Sequence, residues 1–286
     1  MQDPDRQMHR VHATSSRYLV DGQVRYAWKK SLWFSAMALA ALGGGAVYAS
    51  WRGLLLFGLS TAAVLLLGHS LGSHRKLIHD SFQFPAWLGY ALVWCGVLVG
   101  LAGPLGLQRQ PDCHPYLRHG AGFWRDFWWQ VHCELVLAHE PAVVLEPRIG
   151  GDRVLAWLER TWMLQQLPPA LLLYAWGGWG FVVWGVCARV TAGILGHWLI
   201  GYFAHNHGGM HHEVEGAAVQ GRNIRFTSLL TMGECWHNNH HAFPGSARLG
   251  LYAGEWDRAG GCCAACAAWD SCGRCACPRT CRCGPS

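Results

Sequence analysis

Seventeen histidines stand out in this 286-residue chain, and the densest group reads His-x-x-His-His. It consists of His237, His240 and His241. On a helix, this spacing places two imidazoles one turn apart and a third beside them. Neutral imidazole binds iron, zinc and copper. The spacing therefore indicates a site for two metal ions better than a site for one.

Two earlier groups of histidines could add ligands. Residues 68–80 contain His69, His74 and His79, and residues 196–212 contain His197, His205, His207, His211 and His212. His69 and His74 are five residues apart, which is not a same-face spacing on an α-helix unless the helix end is distorted. Taken alone, these two are more typical of histidines at a membrane interface without a ligand role. His211 and His212 fit a supporting role and a solvated loop equally well. The three groups together favour metal binding, because ionisable side chains near a membrane are costly unless they function.

The composition indicates what must position these histidines. Hydrophobic residues make up 51% of the chain and charged residues only 14%, a balance typical of membrane proteins. Basic residues are concentrated in residues 1–30, before the first apolar run, which predicts a cytoplasmic N-terminus. No nucleic-acid-binding motif accompanies them, and this segment is too polar for a secretory signal.

Five apolar stretches could form helices, and their number limits the topology. They cover residues 31–49, 52–68, 85–107, 162–185 and 190–204. Three crossings between the first and last histidine groups would place those groups on opposite membrane faces. Stretch 85–107, interrupted by Gly100, Gly103 and Pro104, is the one that we expect not to cross. The sequence thus predicts an all-α integral membrane protein with four transmembrane helices, both termini in the cytoplasm and every histidine group on the cytoplasmic side.

Several motifs resemble those of the membrane fatty acid desaturases, particularly the acyl-CoA desaturases of the stearoyl-CoA type. His69-Ser-Leu-Gly-Ser-His74 is similar to the family's first histidine box. Ala204-His205-Asn-His-Gly208 is similar to the setting of an additional histidine at the end of the fourth helix. The segment from Gly233 to Pro244 matches the family's last box, Gly-Glu-x-x-His-Asn-x-His-His-x-Phe-Pro. The resemblance covers residues 30 to 257.

The resemblance implies an O2-dependent enzyme that introduces a double bond into a fatty acyl chain. The implied cofactor is two non-haem iron ions in a histidine-box cap on the cytoplasmic side. The implied ligands are His69, His74, His205, His237, His240 and His241, with His79 and His114 as further candidates. Ligating histidines usually donate their second ring N–H to a carboxylate or carbonyl, so Asn238 and Glu234 are predicted to orient an imidazole or a bound water rather than to bind metal. A Glu234 that only caps a helix fits the sequence equally well.

The same resemblance implies the partners of the reaction. They are an acyl chain carried by CoA, carrier protein or lipid, and an external electron donor of the ferredoxin or cytochrome b5 type. The implied location is the bacterial inner membrane. A related hydroxylase or ketolase, and an inactive protein with the same fold, are the alternatives.

The chain departs from that family at two places. The middle His-x-x-His-His box is absent, since residues 100–110 contain no histidine, and we therefore expect impaired activity unless His114 or His119 substitutes. Eight of the 13 cysteines fall between Cys262 and Cys283. We therefore predict a basic segment over 1–30, a desaturase domain over 31–257, and a tail over 258–286. The tail is interpreted as disordered or frameshifted rather than as a cysteine metal cluster.

Overall fold

The computed structural model describes residues 22–109, 122–137, 146–215 and 220–268, and helices dominate it. The chain divides into two compact units. Unit 1 comprises residues up to 61 and residues 97–198, and unit 2 comprises residues 62–96 and those from 199 onward. Three helical stretches of the described chain are long and apolar enough to cross a membrane. They are Trp28–Val47, Trp51–Ile78 and Leu164–Asn206.

The first two of these stretches are separated by only three residues. Helix α1 spans Trp28–Val47, and helix α2, whose second half is a π-helix, spans Trp51–Ile78. The Ser50 hydroxyl accepts a hydrogen bond from the Gly53 backbone N–H at 3.1 Å, which satisfies one of the donors left open at the start of a helix. This arrangement is a tight helical hairpin.

The third stretch contains a reversal rather than one straight helix. Helix α8 spans Leu167–Val182, but Gly178 has a φ of +67°, a conformation that favours glycine. A Cβ built on Gly185 would lie 2.6 Å from the Leu173 side chain, so the chain folds back on itself. The sequence predicts a break in the helix between residues 185 and 190, which separates stretches 162–185 and 190–204. That position is wrong, because the break lies at Gly178, and a π-helix over Val183–Ala188 continues directly into helix α9, Arg189–Asn206.

The stretch expected not to cross contains a short helix. Helix α3 spans Ala86–Val97, about 18 Å at 1.5 Å per residue, against about 30 Å of hydrocarbon in a bilayer. Gly100 follows with a φ of +84°, and helix α4 then occupies Pro104–Arg109. Glu159 fixes the start of α4, since its carboxylate accepts from the N–H groups of Leu105 and Gly106 at 2.8 and 2.9 Å.

A two-stranded sheet in unit 1 departs from the all-α prediction. Strand β1, Gly22–Tyr26, pairs antiparallel with strand β2, Cys133–Leu137, which follows helix α5, Phe123–His132. Beside this sheet, His132 Nδ1 lies 2.8 Å from the Ser31 hydroxyl. Residues 22–30, predicted as part of a basic segment, therefore contain a strand and the start of α1. Helices α6, Pro147–Gly150, and α7, Arg153–Thr161, complete the unit.

Unit 2 is built on the second half of α2, a π-helix over Val64–Ile78. Its glycines allow α3 to approach closely, since a Cβ on Gly72 would lie 2.2 Å from the Leu92 carbonyl oxygen. Small residues at a helix crossing are typical of membrane proteins. The unit also contains the end of α9 and three further helices. These are α10, Ser228–Thr231, α11, His237–Ala242, and α12, Arg258–Ala268.

Helix α12 covers the first eleven residues of the tail, residues 258–286, which is predicted from the sequence to be disordered or frameshifted. Its Ala259 and Cys263 are buried in a cluster with Leu71 of the π-helix. The rest of the tail, including the cysteines from Cys272 to Cys283, lies outside the described residues.

Candidate metal centre

The end of the π-helix brings together two histidines five residues apart. The His79 N–H donates to the His74 carbonyl oxygen at 3.2 Å, the i→i+5 hydrogen bond that defines a π-helix. The two ring centroids lie 4.9 Å apart. A spacing that would separate two side chains on an α-helix therefore pairs them here.

Helix α11 divides its three histidines between two directions. His237 and His241 are one α-helical turn apart, and their Nε2 atoms lie 3.0 Å from each other. His240 instead approaches the π-helix, with its Nε2 atom 3.2 Å from His74 Nε2. A single short helix thus contributes to two neighbouring groups.

Six imidazoles form these two groups of three, and within each group the possible ligand atoms lie within 4.8 Å of one another. The first group is His74, His79 and His240, and the second is His205, His237 and His241. Two nitrogens bound about 2.1 Å from one ion at tetrahedral or octahedral angles would be about 3.0–3.4 Å apart. The Nε2 separations of 3.2 Å for His74–His240 and 3.3 Å for His205–His237 fit that requirement.

The histidines of α11 are held in the neutral form that binds metal. Burial, followed by the neighbouring imidazoles, lowers the pKa of His237 and that of His240 well below the ordinary value. Burial and the nearby His74 lower the pKa of His241 to about 4. Their nitrogen lone pairs are therefore available at neutral pH without prior loss of a proton.

Glu234 links the first group to a buried ion-pair network. Its Oε2 lies 2.6 Å from His74 Nδ1, while its Oε1 accepts from the Arg75 guanidinium at 2.6 Å. Burial acts to raise the Glu234 pKa, but His74 and Arg75 outweigh it and leave that pKa well below its ordinary value. Arg75 also donates to Asp257 at 3.0 and 3.2 Å and to the Ala247 carbonyl at 2.9 Å. An ionised carboxylate at Nδ1 favours the tautomer whose Nε2 is free to bind a metal.

Comparisons with known proteins agree with this chemistry. The profile of the family described as "Fatty acid desaturase" matches residues 49–249. The chain belongs to the fatty acid desaturase family. It is therefore a membrane-bound oxidoreductase of lipid metabolism.

Curated relatives of this desaturase cover most of its length. The chain is 34% identical over 249 residues to the sn-1 stearoyl-lipid 9-desaturase of Anabaena variabilis, covering 78% of this chain and 85% of that protein. It is 35% identical over 210 residues to the sn-2 palmitoyl-lipid 9-desaturase of Nostoc sp. (strain 36), covering 67% and 70%. An acyl-CoA 5-desaturase from Anemone leveillei is 31% identical over 217 residues, covering 73% and 64%.

The desaturase structure brings together five of the six histidines implied as ligands and adds His79. His69 lies close enough to Glu234 and His74 for their charges to interact, but it belongs to neither group. Four residues separate His69 from His74, and four residues also separate His74 from His79. The structure places the second pair, His74 and His79, in one group of possible ligands. The implied candidate His114 lies outside the described residues, as does His119.

Asn238, the other residue of the desaturase that is predicted to orient ligands, forms hydrogen bonds to backbone groups. Its side chain accepts from the N–H groups of His211 and His212 at 2.7 and 2.8 Å, and it donates to the Gly221 carbonyl at 2.9 Å. The ring of His212 lies 2.9 Å from the Tyr252 hydroxyl, and that of His211 lies 3.5 Å from Glu255. Asn238 therefore holds the loop that carries these two histidines.

Proposed function

We propose that this desaturase introduces a double bond into a fatty acyl chain at a di-iron centre held by the two histidine groups. The ligands in this proposal are His74, His79, His205, His237, His240 and His241. The observation that carries it is the pair of adjacent imidazole groups, whose His240 and His241 rings are 5.9 Å apart. The curated relatives, all named desaturases, support desaturation over hydroxylation or ketone formation.

Bound iron would supply the oxidising chemistry that removes hydrogen from two adjacent methylenes. In the overall balance, the acyl chain loses two hydrogens, and O2 with two electrons and two protons becomes two waters. The electrons come from an external donor of the ferredoxin or cytochrome b5 type. The protein's own contribution is to hold neutral imidazoles in place, with the Glu234 carboxylate fixing the His74 tautomer through Nδ1.

We further propose four membrane crossings for this chain. The third helical stretch reverses at Gly178, so its two arms would count as two crossings in addition to α1 and α2. The first arm, residues 164–176, is about 20 Å long and would need a locally thinned bilayer, whereas α3 is followed by the break at Gly100. An even number of crossings places both termini on one side. The basic N-terminal segment favours the cytoplasm, and the bacterial inner membrane is the proposed location.

The missing middle box limits the activity that we expect. Two iron ions with about five or six ligands each need more donors than two groups of three imidazoles provide. His114 and His119 are the candidates for additional ligands. We therefore expect low or no turnover, combined with incomplete iron loading.

The test is expression in a desaturase-deficient host, followed by gas chromatography of its fatty acids and measurement of iron per purified chain. A His237→Ala variant is the control, and we expect it to lose both bound iron and any unsaturated product. Hydroxy or keto fatty acids would instead indicate the related oxygenase. Neither iron nor product would indicate an inactive protein with the desaturase fold. Purified protein supplied with stearoyl-CoA or with a stearoyl phospholipid then identifies the acyl carrier.

A further inference from the structure

A short segment of unit 2 exposes three large apolar side chains on one face. Within residues 225–231, Phe226 is 99% exposed, Leu229 51% and Leu230 75%. These positions are i, i+3 and i+4, so the side chains share one face of the helical turns that contain them. A contiguous apolar face of this kind marks a contact with a protein or a membrane.

The opposite face of this segment is fixed to the protein. Ser228 and Met232 are buried. The Thr231 hydroxyl donates to the Thr227 carbonyl at 2.9 Å and accepts from the Cys235 N–H at 3.2 Å. The apolar face is therefore held outward by a packed and hydrogen-bonded base.

The segment lies beside the last two turns of helix α9. Ile224 packs with Ile200 in a cluster around Trp236, and the Arg222 N–H donates to the Ala204 carbonyl at 2.8 Å. Helix α9 ends a candidate membrane span at Asn206, so Ile200 lies six residues, or about 9 Å, before that end. Residues 225–230 follow directly from this contact. A membrane span that ends at Asn206 would place them near the depth where hydrocarbon gives way to headgroups.

We propose that Phe226, Leu229 and Leu230 insert into the lipid bilayer at its interface. Large apolar side chains on one face, next to a basic residue, are typical of interfacial helices. Arg225 is exposed beside Phe226 and can place its guanidinium at lipid phosphates while its stem stays on the apolar side. The partner is a lipid surface rather than a second copy, because the face adjoins a helix that ends a candidate membrane span. This proposal does not depend on iron or turnover.

The experiment places the photoreactive residue p-benzoyl-phenylalanine at position 226, or at position 230, of the full chain in phosphatidylcholine–phosphatidylglycerol nanodiscs. The matched control places it at Glu213, an exposed residue in the same unit next to the acidic Glu215. After illumination, mass spectrometry measures adducts with lipid acyl chains. We expect lipid adducts to exceed those of the control by about tenfold or more, the factor that corresponds to burying one large apolar side chain.

Equal lipid adducts at 226 and 213 would overturn the proposal, as would adducts that join two protein chains in place of lipid. Only variants that elute as the unmodified chain does in gel filtration are compared. The same measurement on iron-free protein should give the same result. Failure of the proposed metal centre therefore leaves this test unaffected, and failure of this test leaves the metal centre unaffected.

Discussion

The Glu234 carboxylate contacts a proposed iron ligand on one side and the buried Arg75 on the other. Replacing it by Gln removes the negative charge while keeping the side-chain size. We expect Glu234→Gln to weaken iron binding by about 10–100-fold, the usual effect of losing a group that orients a ligand. Competition with a chelator measures this affinity, and Glu213→Gln, at an exposed position, is the control. Unchanged iron binding would mean that Glu234 only neutralises Arg75.

Substituting His69 and His79 separately tests which of them binds metal together with His74. His79 shares a group with His74 and His240, whereas His69 belongs to neither group. We expect His79→Ala to reduce iron affinity by more than the roughly 10–100-fold that outer groups contribute. His69→Ala should retain the iron of the unmodified chain. Elemental analysis of both purified variants decides the point, and the reverse result would restore His69–His74 as the ligand pair.

At the scale of elements, the π-helix depends on close contact with α3. A side chain at Gly72 has no room, because a Cβ there would lie 2.2 Å from the Leu92 carbonyl oxygen. We expect Gly72→Ala to lower the free energy of unfolding by about 1–3 kcal/mol or more, the usual cost of overpacking. Gly89→Ala on α3 is the matched control, since a Cβ built there has no atom of another described part of the chain within 4 Å. Thermal unfolding in detergent compares the two, and equal melting temperatures would refute the expectation.

Helix α11 makes the iron-free protein sensitive to acid. The pKa values of His237 and His240 in the folded state lie well below the ordinary value, and that of His241 is about 4. The unfolded chain, with histidine pKa values of about 6.5, therefore binds more protons, and stability falls as the pH falls. This contribution is complete above about pH 6.5 and is lost as the pH approaches the folded values.

We accordingly expect the iron-free protein to melt at a lower temperature at about pH 5 than at about pH 7.5. A His241→Gln variant should show a smaller difference, because it lacks one of the three depressed groups. Differential scanning fluorimetry of both proteins at the two pH values measures this. A melting temperature that rises on acidification would contradict the argument.

At the scale of the whole molecule, the reversal at Gly178 is what makes the proposed number of membrane crossings even. With four crossings, a fluorescent protein fused after residue 286 should fold and fluoresce in the bacterial cytoplasm. Alkaline phosphatase at the same place should be inactive, since it requires the periplasm. The opposite pattern would mean that the chain crosses an odd number of times.

Much of the candidate site could be predicted from the sequence, because the i, i+3, i+4 spacing of the last box is local. That spacing places two imidazoles one turn apart and a third beside them, which indicated a site for two ions rather than one. The sequence did not reveal that His79, rather than His69, groups with His74. That grouping depends on a π-helix that packs through Gly68 and Gly72 against α3. The pairing of β1 with β2 joins segments more than a hundred residues apart, which no local pattern reveals. The reversal did have a local signal in Trp176-Gly-Gly-Trp179, which the hydrophobic runs on either side obscured.

Helix α11 supplies His237 and His241 to one histidine group and His240 to the other. Under the proposed function, an ion bound in either group restrains this six-residue helix and so places a ligand for the second ion. The ordering entropy is then lost once, when the first ion binds, and the second ion binds more tightly. Under that proposal we expect metal loading to be cooperative, with an excess of empty and doubly occupied chains at half saturation.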